Sequence, residues 1–200
     1  MGYEIYILDL IGTFTFAVYG SYYALKKDFD IFGIFVSALL SGLGGGTIRE
    51  ILLHKTPFYF YDTNYILAII LAVAFAVPIY KKFNKIKTYM LLLDSIGLVT
   101  FAFIGASIGA KSDLGIFAIT FLATITAVGG GVLRDITLNK VPQVMYYDFY
   151  ASVAILLGIT YGIFAQYMSS ILWANLLILA FLGIRIIVVI YNINLWKPRT

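Results

Sequence analysis

Long apolar segments, separated by short polar ones, run along the whole chain. They cover about residues 5–25, 31–53, 64–80, 90–110, 115–138, 148–167 and 171–191. A helix of about 20 residues rises 1.5 Å per residue and crosses the roughly 30 Å hydrocarbon core of a bilayer. The pattern therefore predicts an all-α integral membrane protein with seven transmembrane helices in a single membrane domain over residues 1–200.

The chain also contains an internal repeat. A shift of 85 residues superposes Asp9 on Asp94, Gly12 on Gly97, Lys26 on Lys111, Arg49 on Arg134 and Pro57 on Pro142. A fixed period of this kind indicates repeated architecture. We predict a three-helix repeat over about 5–80, a second over about 90–167, and an unpaired seventh helix over about 171–191. Because each repeat has an odd number of spans, the second enters the membrane from the opposite side, which gives inverted repeats.

Each repeat carries a glycine triplet inside its second apolar segment. The triplets are Gly44, Gly45 and Gly46, and Gly129, Gly130 and Gly131. Each glycine lowers helix propensity by roughly 1 kcal/mol, and an unwound backbone in a membrane is tolerated where protein buries it or where it lines an aqueous cavity. We therefore predict that helices two and five break at the triplets beside a polar pathway. The alternative is close helix packing, which small residues permit.

Charged residues near the triplets are candidates for the pathway or its gating. They are Asp9, Arg49, Glu50, Asp94, Arg134 and Asp135. Their depth along the predicted helices places Asp9 level with Arg49, and Asp94 level with Arg134. An arginine within a span is unfavourable unless it is paired or snorkels to the interface, so we expect those two pairs to form. The alternatives are snorkelling to lipid phosphate and pairing of each arginine with its own neighbour, Glu50 or Asp135.

Three hydroxyl side chains, Ser41, Thr124 and Thr126, precede the triplets and are candidate pore-lining groups. Such hydroxyls can instead bond to a preceding backbone carbonyl of their own helix. Arg185, in the seventh segment, is expected to snorkel to headgroups, with a subunit contact as the alternative.

Composition excludes several classes of protein. Hydrophobic residues make up 62% and charged residues 12% of the chain, with a mean hydropathy of +0.94, whereas soluble domains are about 25% charged. There is no cysteine, no Ser/His/Asp set, no metal-ligand cluster and no phosphate-binding loop with its lysine. We therefore predict that the protein is not an enzyme and has no catalytic residues, metal site or cofactor, apart from permeant potassium or sodium ions.

The basic residues predict the topology. One side of the membrane carries Lys26, Lys27, Lys81, Lys82, Lys85, Lys87, Lys140, Lys197 and Arg199, and the other carries Lys55 and Lys111. By the positive-inside rule we expect a multi-pass protein of the cell membrane with its N-terminus outside and its C-terminus in the cytoplasm. The net charge of +4 lies at helix ends, which indicates lipid contact and not nucleic-acid binding.

These features resemble the trimeric intracellular cation (TRIC) channel family in its prokaryotic branch. The resemblance rests on the Asp-x-x-Gly openings at Asp9 and Asp94, the two Gly-Gly-Gly-x-x-Arg-[Glu/Asp] runs and the three-plus-three repeat with a seventh helix. It implies a homotrimer with one potassium-permeable pore per protomer, bounded by helices one, two, four and five. It also implies anionic lipid headgroups near Arg134, while the basic 81–87 loop is a second candidate for such contacts.

A second function is compatible with the same pattern. A broken helix offers carbonyl oxygens to a cation, but it also offers N–H groups to an anion. Inverted repeats with broken helices are the architecture of many secondary transporters. The alternative is therefore a transporter of a small amino acid such as glycine, with Arg49 and Arg134 holding the substrate carboxylate.

Overall fold

Seven α-helices make up most of the described chain. The computed structural model describes residues 2–83, 87–145, 149–191 and 193, with the backbone alone at 81–83, 87 and 88. Within these residues the helices are α1 (Gly2–Leu25), α2 (Ile31–Leu52), α3 (Asn64–Phe83), α4 (Lys87–Lys111), α5 (Ile116–Thr137), α6 (Ala151–Ile163) and α7 (Ile171–Ile190), with no strand. The predicted all-α class and the number of helices are confirmed.

The helices differ in their capacity to cross a membrane. By length and composition α1, α2, α4, α5 and α7 qualify, whereas the apolar parts of α3 and α6 are shorter. We predicted the sixth helix over about 148–167, but it has only 13 residues, from Ala151 to Ile163. That is about 20 Å at 1.5 Å per residue, less than the bilayer core. Its C-cap is Phe164, at φ −103° and ψ 21°, and a short 3-10 helix over Ala165–Tyr167 follows.

Parts of the predicted basic regions lie outside the described residues. These parts are residues 84–86 of the predicted 81–87 loop, together with Lys197 and Arg199. The remainder of that predicted loop is helical, because α3 continues to Phe83 and α4 begins at Lys87. Lys26 and Lys140, which we predicted on one side of the membrane, do lie at the same end of the molecule. The Lys26 Nζ is 4.9 Å from the centroid of the Tyr22 ring, and the Lys140 Nζ is 4.2 Å from that of the neighbouring Tyr23 ring.

The predicted breaks at the glycine triplets are absent. Both α2 and α5 continue through their triplets, and no glycine in the described residues has a positive φ. The reason is that the triplets meet where α2 crosses α5. A Cβ added at Gly44 would lie 3.1 Å from the Cα of Gly130, and one added at Gly129 would lie 3.1 Å from the Cα of Gly45. Close packing, the alternative interpretation, therefore explains the glycines.

The loops that follow α2 and α5 have the same backbone conformation. The second residue after α2, His54 at φ 53°, matches the second residue after α5, Asn139 at φ 51°. In the next position the N–H of Lys55 donates to the Glu50 carbonyl at 2.8 Å, as the N–H of Lys140 donates to the Asp135 carbonyl at 2.8 Å. The positive φ lets the chain turn back and satisfy a carbonyl that the helix end leaves free. The 85-residue repeat thus extends to backbone conformation.

Each half of the chain has its own hydrophobic core. One cluster is built mainly from α1, α2 and α3, and the other from α4, α5, α6 and α7. The two halves meet where α1 packs against α4 and α2 against α5. The glycine triplets meet at this seam, and Arg134 of α5 lies against the Tyr19 and Tyr23 rings of α1 across it.

Candidate functional site

The centre of the seam is the crossing of α2 and α5, and its contacts are reciprocal. A Cβ at Gly45 would overlap the carbonyl oxygen of Thr126, and a Cβ at Gly130 would overlap that of Ser41. Gly45 and Gly130 correspond in the repeat, as do Ser41 and Thr126. The contacts pair earlier residues of α2 with later residues of α5, so the two helices cross in antiparallel directions. Backbone faces backbone at Gly45 and Gly130, while the Leu133 and Ile48 side chains reach the neighbouring Gly44 and Gly129.

The aspartates of α1 and α4 are held by tyrosines. The Tyr65 hydroxyl donates to Asp9 Oδ2 at 3.1 Å, and the Tyr150 hydroxyl donates to Asp94 Oδ1 at 2.9 Å. Both carboxylates are buried. Because the two tyrosines are also 85 residues apart, the same bond forms in both repeats.

The arginines of α2 and α5 pair with their own neighbours. Arg49 Nη2 lies 2.7 Å from Glu50 Oε1, and Arg134 Nη2 lies 2.8 Å from Asp135 Oδ1. Both arginine side chains are 2% exposed. Each is in the last turn of its helix, where the macrodipole stabilises a cation.

The predicted pairs, Asp9 with Arg49 and Asp94 with Arg134, are therefore wrong: neither forms a salt bridge among the described residues. Tyrosine hydroxyls bind the aspartates instead. Adjacent residues usually make poor partners, because their side chains leave a helix about 100° apart. The long arginine side chain overcomes this angle by curling so that its Nε, as well as its Nη2, reaches the neighbouring carboxylate.

The two arginine sites differ in their surroundings. The Arg49 guanidinium lies 5.6 Å from the centroid of the Phe58 ring. The Arg134 guanidinium lies 4.8 Å from the Tyr19 ring and 5.4 Å from the Tyr23 ring. Gln143 takes the repeat position of Phe58, and its N–H donates to Asp135 Oδ2 at 2.9 Å. The Arg134 end of the seam is therefore the more polar one.

Arg185 does not snorkel to the headgroups as we predicted. It is buried at 4% exposure, its Nη2 lies 3.9 Å from Asp94 Oδ2, and its guanidinium lies 5.0 Å from the Tyr150 ring centroid. The buried aspartate and the ring attract the cation inward. Helix α7 thus contacts the candidate residues of the second half through one buried charge.

The three hydroxyls bond to their own helices. Ser41 donates to the Ser37 carbonyl at 2.8 Å, Thr124 to the Thr120 carbonyl at 2.8 Å, and Thr126 to the Leu122 carbonyl at 2.6 Å. Their proposed pore-lining role stays a prediction. Among the described residues, no group of three or more His, Asp or Glu side chains is placed to hold a metal ion.

Sequence reasoning missed the residues that complete the site, namely Tyr19, Phe58, Tyr65, Gln143 and Tyr150. A signal was available for two of them. Tyr65 and Tyr150 fall on each other under the same 85-residue shift that superposes Asp9 on Asp94. Tyr19, Phe58 and Gln143 give no such signal, because their counterparts in the repeat are of a different residue type.

The two tyrosine bonds predict a matched loss of stability. Tyr65→Phe and Tyr150→Phe should each lower the free energy of unfolding by about 1.5–3 kcal/mol, because each leaves a buried carboxylate oxygen without its donor. Unfolding in mixed detergent micelles measures this change. Tyr89→Phe, at a position that is 60% exposed, is the control and should have little effect. Equal stability of all three variants would contradict the importance of the bonds.

Comparison with known sequences also identifies the internal repeat. The model of the family described as Glycine transporter matches residues 6–81 and again 91–166. A UPF0126 membrane protein of Deinococcus radiodurans is 36% identical over 140 residues, which are 70% of this chain and 65% of the relative. A UPF0126 membrane protein of Vibrio cholerae is 35% identical over 158 residues, 78% of this chain and 66% of the relative. The chain thus spans slightly less than two thirds of the length of these two relatives.

Solved structures match over almost the entire chain. A prokaryotic TRIC channel crystallised in 0.5 M KCl has a TM-score of 0.90 and 32% identity, and the match covers 98% of this chain and 100% of the other. A structure solved to explain conductance through TRIC cation channels has a TM-score of 0.87 and 33% identity, covering 97% of each chain. The trimeric intracellular cation channel orthologue of Rhodobacter sphaeroides has a TM-score of 0.85 and 26% identity, covering 95% of this chain and 99% of the other.

Proposed function

The chain belongs to the family that includes the prokaryotic TRIC channels and the UPF0126 membrane proteins, and on this premise we propose that it is a potassium-permeable cation channel. The observation that carries the proposal is the match to a prokaryotic TRIC channel over 98% of this chain at 32% identity and a TM-score of 0.90. Several apolar helices and UPF0126 relatives identify a multi-pass membrane protein. A membrane channel for monovalent cations needs no catalytic group or cofactor.

The assembly we propose is a homotrimer with one pore in each protomer. The similar orthologue of Rhodobacter sphaeroides is a trimeric channel by name, and it matches 95% of this chain. A pore within each protomer is supported by the position of the candidate residues. The glycine triplets meet between the two halves of one chain, and Arg134 lies against two rings of the other half.

We propose that the halves are inverted repeats. Two observations support this arrangement: the antiparallel, reciprocal crossing of α2 and α5, and the family match that occurs once in each half. With the basic residues at the end that contains Lys26 and Lys140, the positive-inside rule favours an external N-terminus and a cytoplasmic C-terminus. Anionic headgroups near Arg134 and the 81–87 loop belong to the same proposal.

The pathway is proposed to pass the α2–α5 crossing, with one arginine and one aspartate of each repeat towards its two ends. The Ser41 and Thr126 carbonyl oxygens lie at this crossing, and beyond its helical hydrogen bond each keeps a second lone pair that can coordinate an alkali cation. The glycines hold the helices so close that ion passage requires them to separate. The glycines have no side chains to interlock, and Ile48 and Leu133 are the side chains that reach across beside them.

One observation favours a second function. The matching family model is described as Glycine transporter, and the buried Arg49 and Arg134 are cations that a substrate carboxylate could approach. Both arginines are already paired with their neighbours, however, so an added carboxylate would have to compete with Glu50 or Asp135. We therefore place the channel first.

Planar bilayer recordings of the purified protein test the two functions directly. We expect a cation current whose reversal potential moves towards about 59 mV for a tenfold potassium gradient, the Nernst limit for a single charge. Chloride gradients should leave the reversal potential near zero. Protein-free bilayers are the control. Concentrative uptake of glycine into proteoliposomes without ionic current would instead establish the transporter.

A further inference from the structure

An apolar groove of about 560 Å³ lies between α2 and α3 on the outer surface of the first repeat. Its walls include Ile31 and Phe35 of α2, and Val73, Val77 and Pro78 of α3. Val73 is 7% exposed and forms part of the floor, whereas Ile31 at 65% and Val77 at 41% line the open side. The volume is within the usual range of about 300–1,000 Å³ for ligand sites.

The second repeat is packed closely at the corresponding place. Gly158 and Gly162 of α6 occupy the repeat positions of Val73 and Val77. A Cβ at Gly158 would lie 2.8 Å from the Cα of Thr120, and a Cβ at Gly162 would lie 2.8 Å from Ile116 Cγ1.

Thr120 and Ile116 are in turn the counterparts of Phe35 and Ile31. Glycines therefore let α6 pack tightly on α5, while the two valines and Phe35 hold α3 away from α2. Three substitutions between the repeats, at Phe35, Val73 and Val77, thus account for the groove.

One end of the groove is basic and aromatic. Tyr80, two residues beyond the groove residue Pro78, lies 5.9 Å from the Tyr22 ring centroid. The Lys26 Nζ lies 4.9 Å from that same Tyr22 ring, and the adjacent Lys27 is exposed. Of the nearby acids, Asp30 accepts the N–H of Gly33 at the start of α2, and Asp28 is an exposed loop residue.

We propose that the groove binds one acyl chain of an anionic phospholipid, with the lipid phosphate at Lys26 and Lys27. An apolar groove that ends at tyrosines and lysines matches the amphipathic structure of a lipid at the membrane interface. The tyrosine rings cover the junction between chain and headgroup. The groove belongs to the first repeat alone, and its lysines lie at the same end of the molecule as Lys140 of the second repeat.

Photo-crosslinking tests this site in the intact protein. Nanodiscs are prepared with a phosphatidylglycerol that carries a diazirine in its acyl chain, and the labelled residues are identified by peptide mass spectrometry. We expect labelling of 31–35 and 70–78 to exceed that of their counterparts 116–120 and 155–163. Equal labelling of the two repeats would overturn the proposal.

Two sets of variants separate the groove from the lysines. K26Q and K27Q should each weaken phosphatidylglycerol labelling about fivefold, the effect of one lysine at a membrane surface, but should leave phosphatidylcholine labelling unchanged. K111Q, at the repeat position of Lys26, is the matched control. A74F should fill the groove and abolish selective labelling, whereas L71F, on an exposed part of α3 outside the groove, should not.

Labelling that does not respond to A74F would overturn the proposal. So would disulfide formation between protomers from a single cysteine introduced at Val77, because a second copy of the chain would then occupy the groove. The native chain has 0 cysteines, so this disulfide assay has no background from other thiols.

Discussion

Replacing Gly130 with leucine should destabilise the folded protein by at least about 3 kcal/mol, because the new side chain has no space at the α2–α5 crossing. Even a Cβ at this position would overlap the Ser41 carbonyl oxygen. Gly45→Leu should have the same effect through the Thr126 carbonyl oxygen. Unfolding in mixed micelles measures the loss, and bilayer recordings should show reduced current from any protein that still folds.

Gly183→Ala in α7 is the control for these substitutions. Nothing lies within 4 Å of a Cβ at Gly183, so alanine should stabilise the helix by up to about 1 kcal/mol through its propensity. Variants at Gly45 and Gly130 that are as stable as the unmodified protein would refute the close-packing explanation. Alanine at Gly130 should cause a smaller loss, of about 1–3 kcal/mol.

Asp135→Asn is expected to lower the free energy of unfolding by about 3–5 kcal/mol, since it leaves the buried Arg134 cation without its partner. Asp135 Oδ1 binds Arg134 and its Oδ2 accepts the N–H of Gln143, and the Asp135 side chain is 1% exposed. Glu50→Gln should cost less, because the Glu50 side chain is 9% exposed and water can reach it more easily. Equilibrium unfolding of the two variants gives the comparison.

A double variant separates the ion pair from general damage to the site. Replacing both partners, as in Arg134→Met with Asp135→Asn, removes the unpaired charge and should recover part of the stability. Asp113→Asn, in the loop before α5, is the exposed control and should change stability by less than about 0.5 kcal/mol. A double variant as unstable as Asp135→Asn alone would mean that Arg134 is not what makes the single change harmful.

The helices other than α6 could be predicted from the sequence, because their lengths follow from the spacing of polar residues. The helix end at Leu52 lies within one residue of the predicted end at 53. The behaviour of the glycine triplets could not be predicted, since low helix propensity is compatible with a break or with a close crossing. Only the position of the partner helix distinguishes the two, and that position depends on tertiary packing.

The partners of the charged residues were harder to predict for a related reason. Depth along a helix brought Asp9 level with Arg49, but depth does not specify which face each side chain points from. Tyr65, from α3, donates the hydrogen bond to Asp9 that Arg49 does not. The two repeats nevertheless agree in this bond and in the pairing of each arginine with the next residue, so a comparison between the halves could have constrained the answer.

The reciprocal contact between α2 and α5 also bears on how such a chain could arise. Contacts in which residue i of one unit touches residue j of the other, and the reverse, are those of a two-fold dimer. A single three-helix unit that paired with its own copy would make this same crossing. Duplication and fusion of its gene would preserve the glycines in both halves, because each helix needs the glycines of the other for the close contact. Positions away from the crossing would be free to diverge, and Val73 and Gly158 differ in this way.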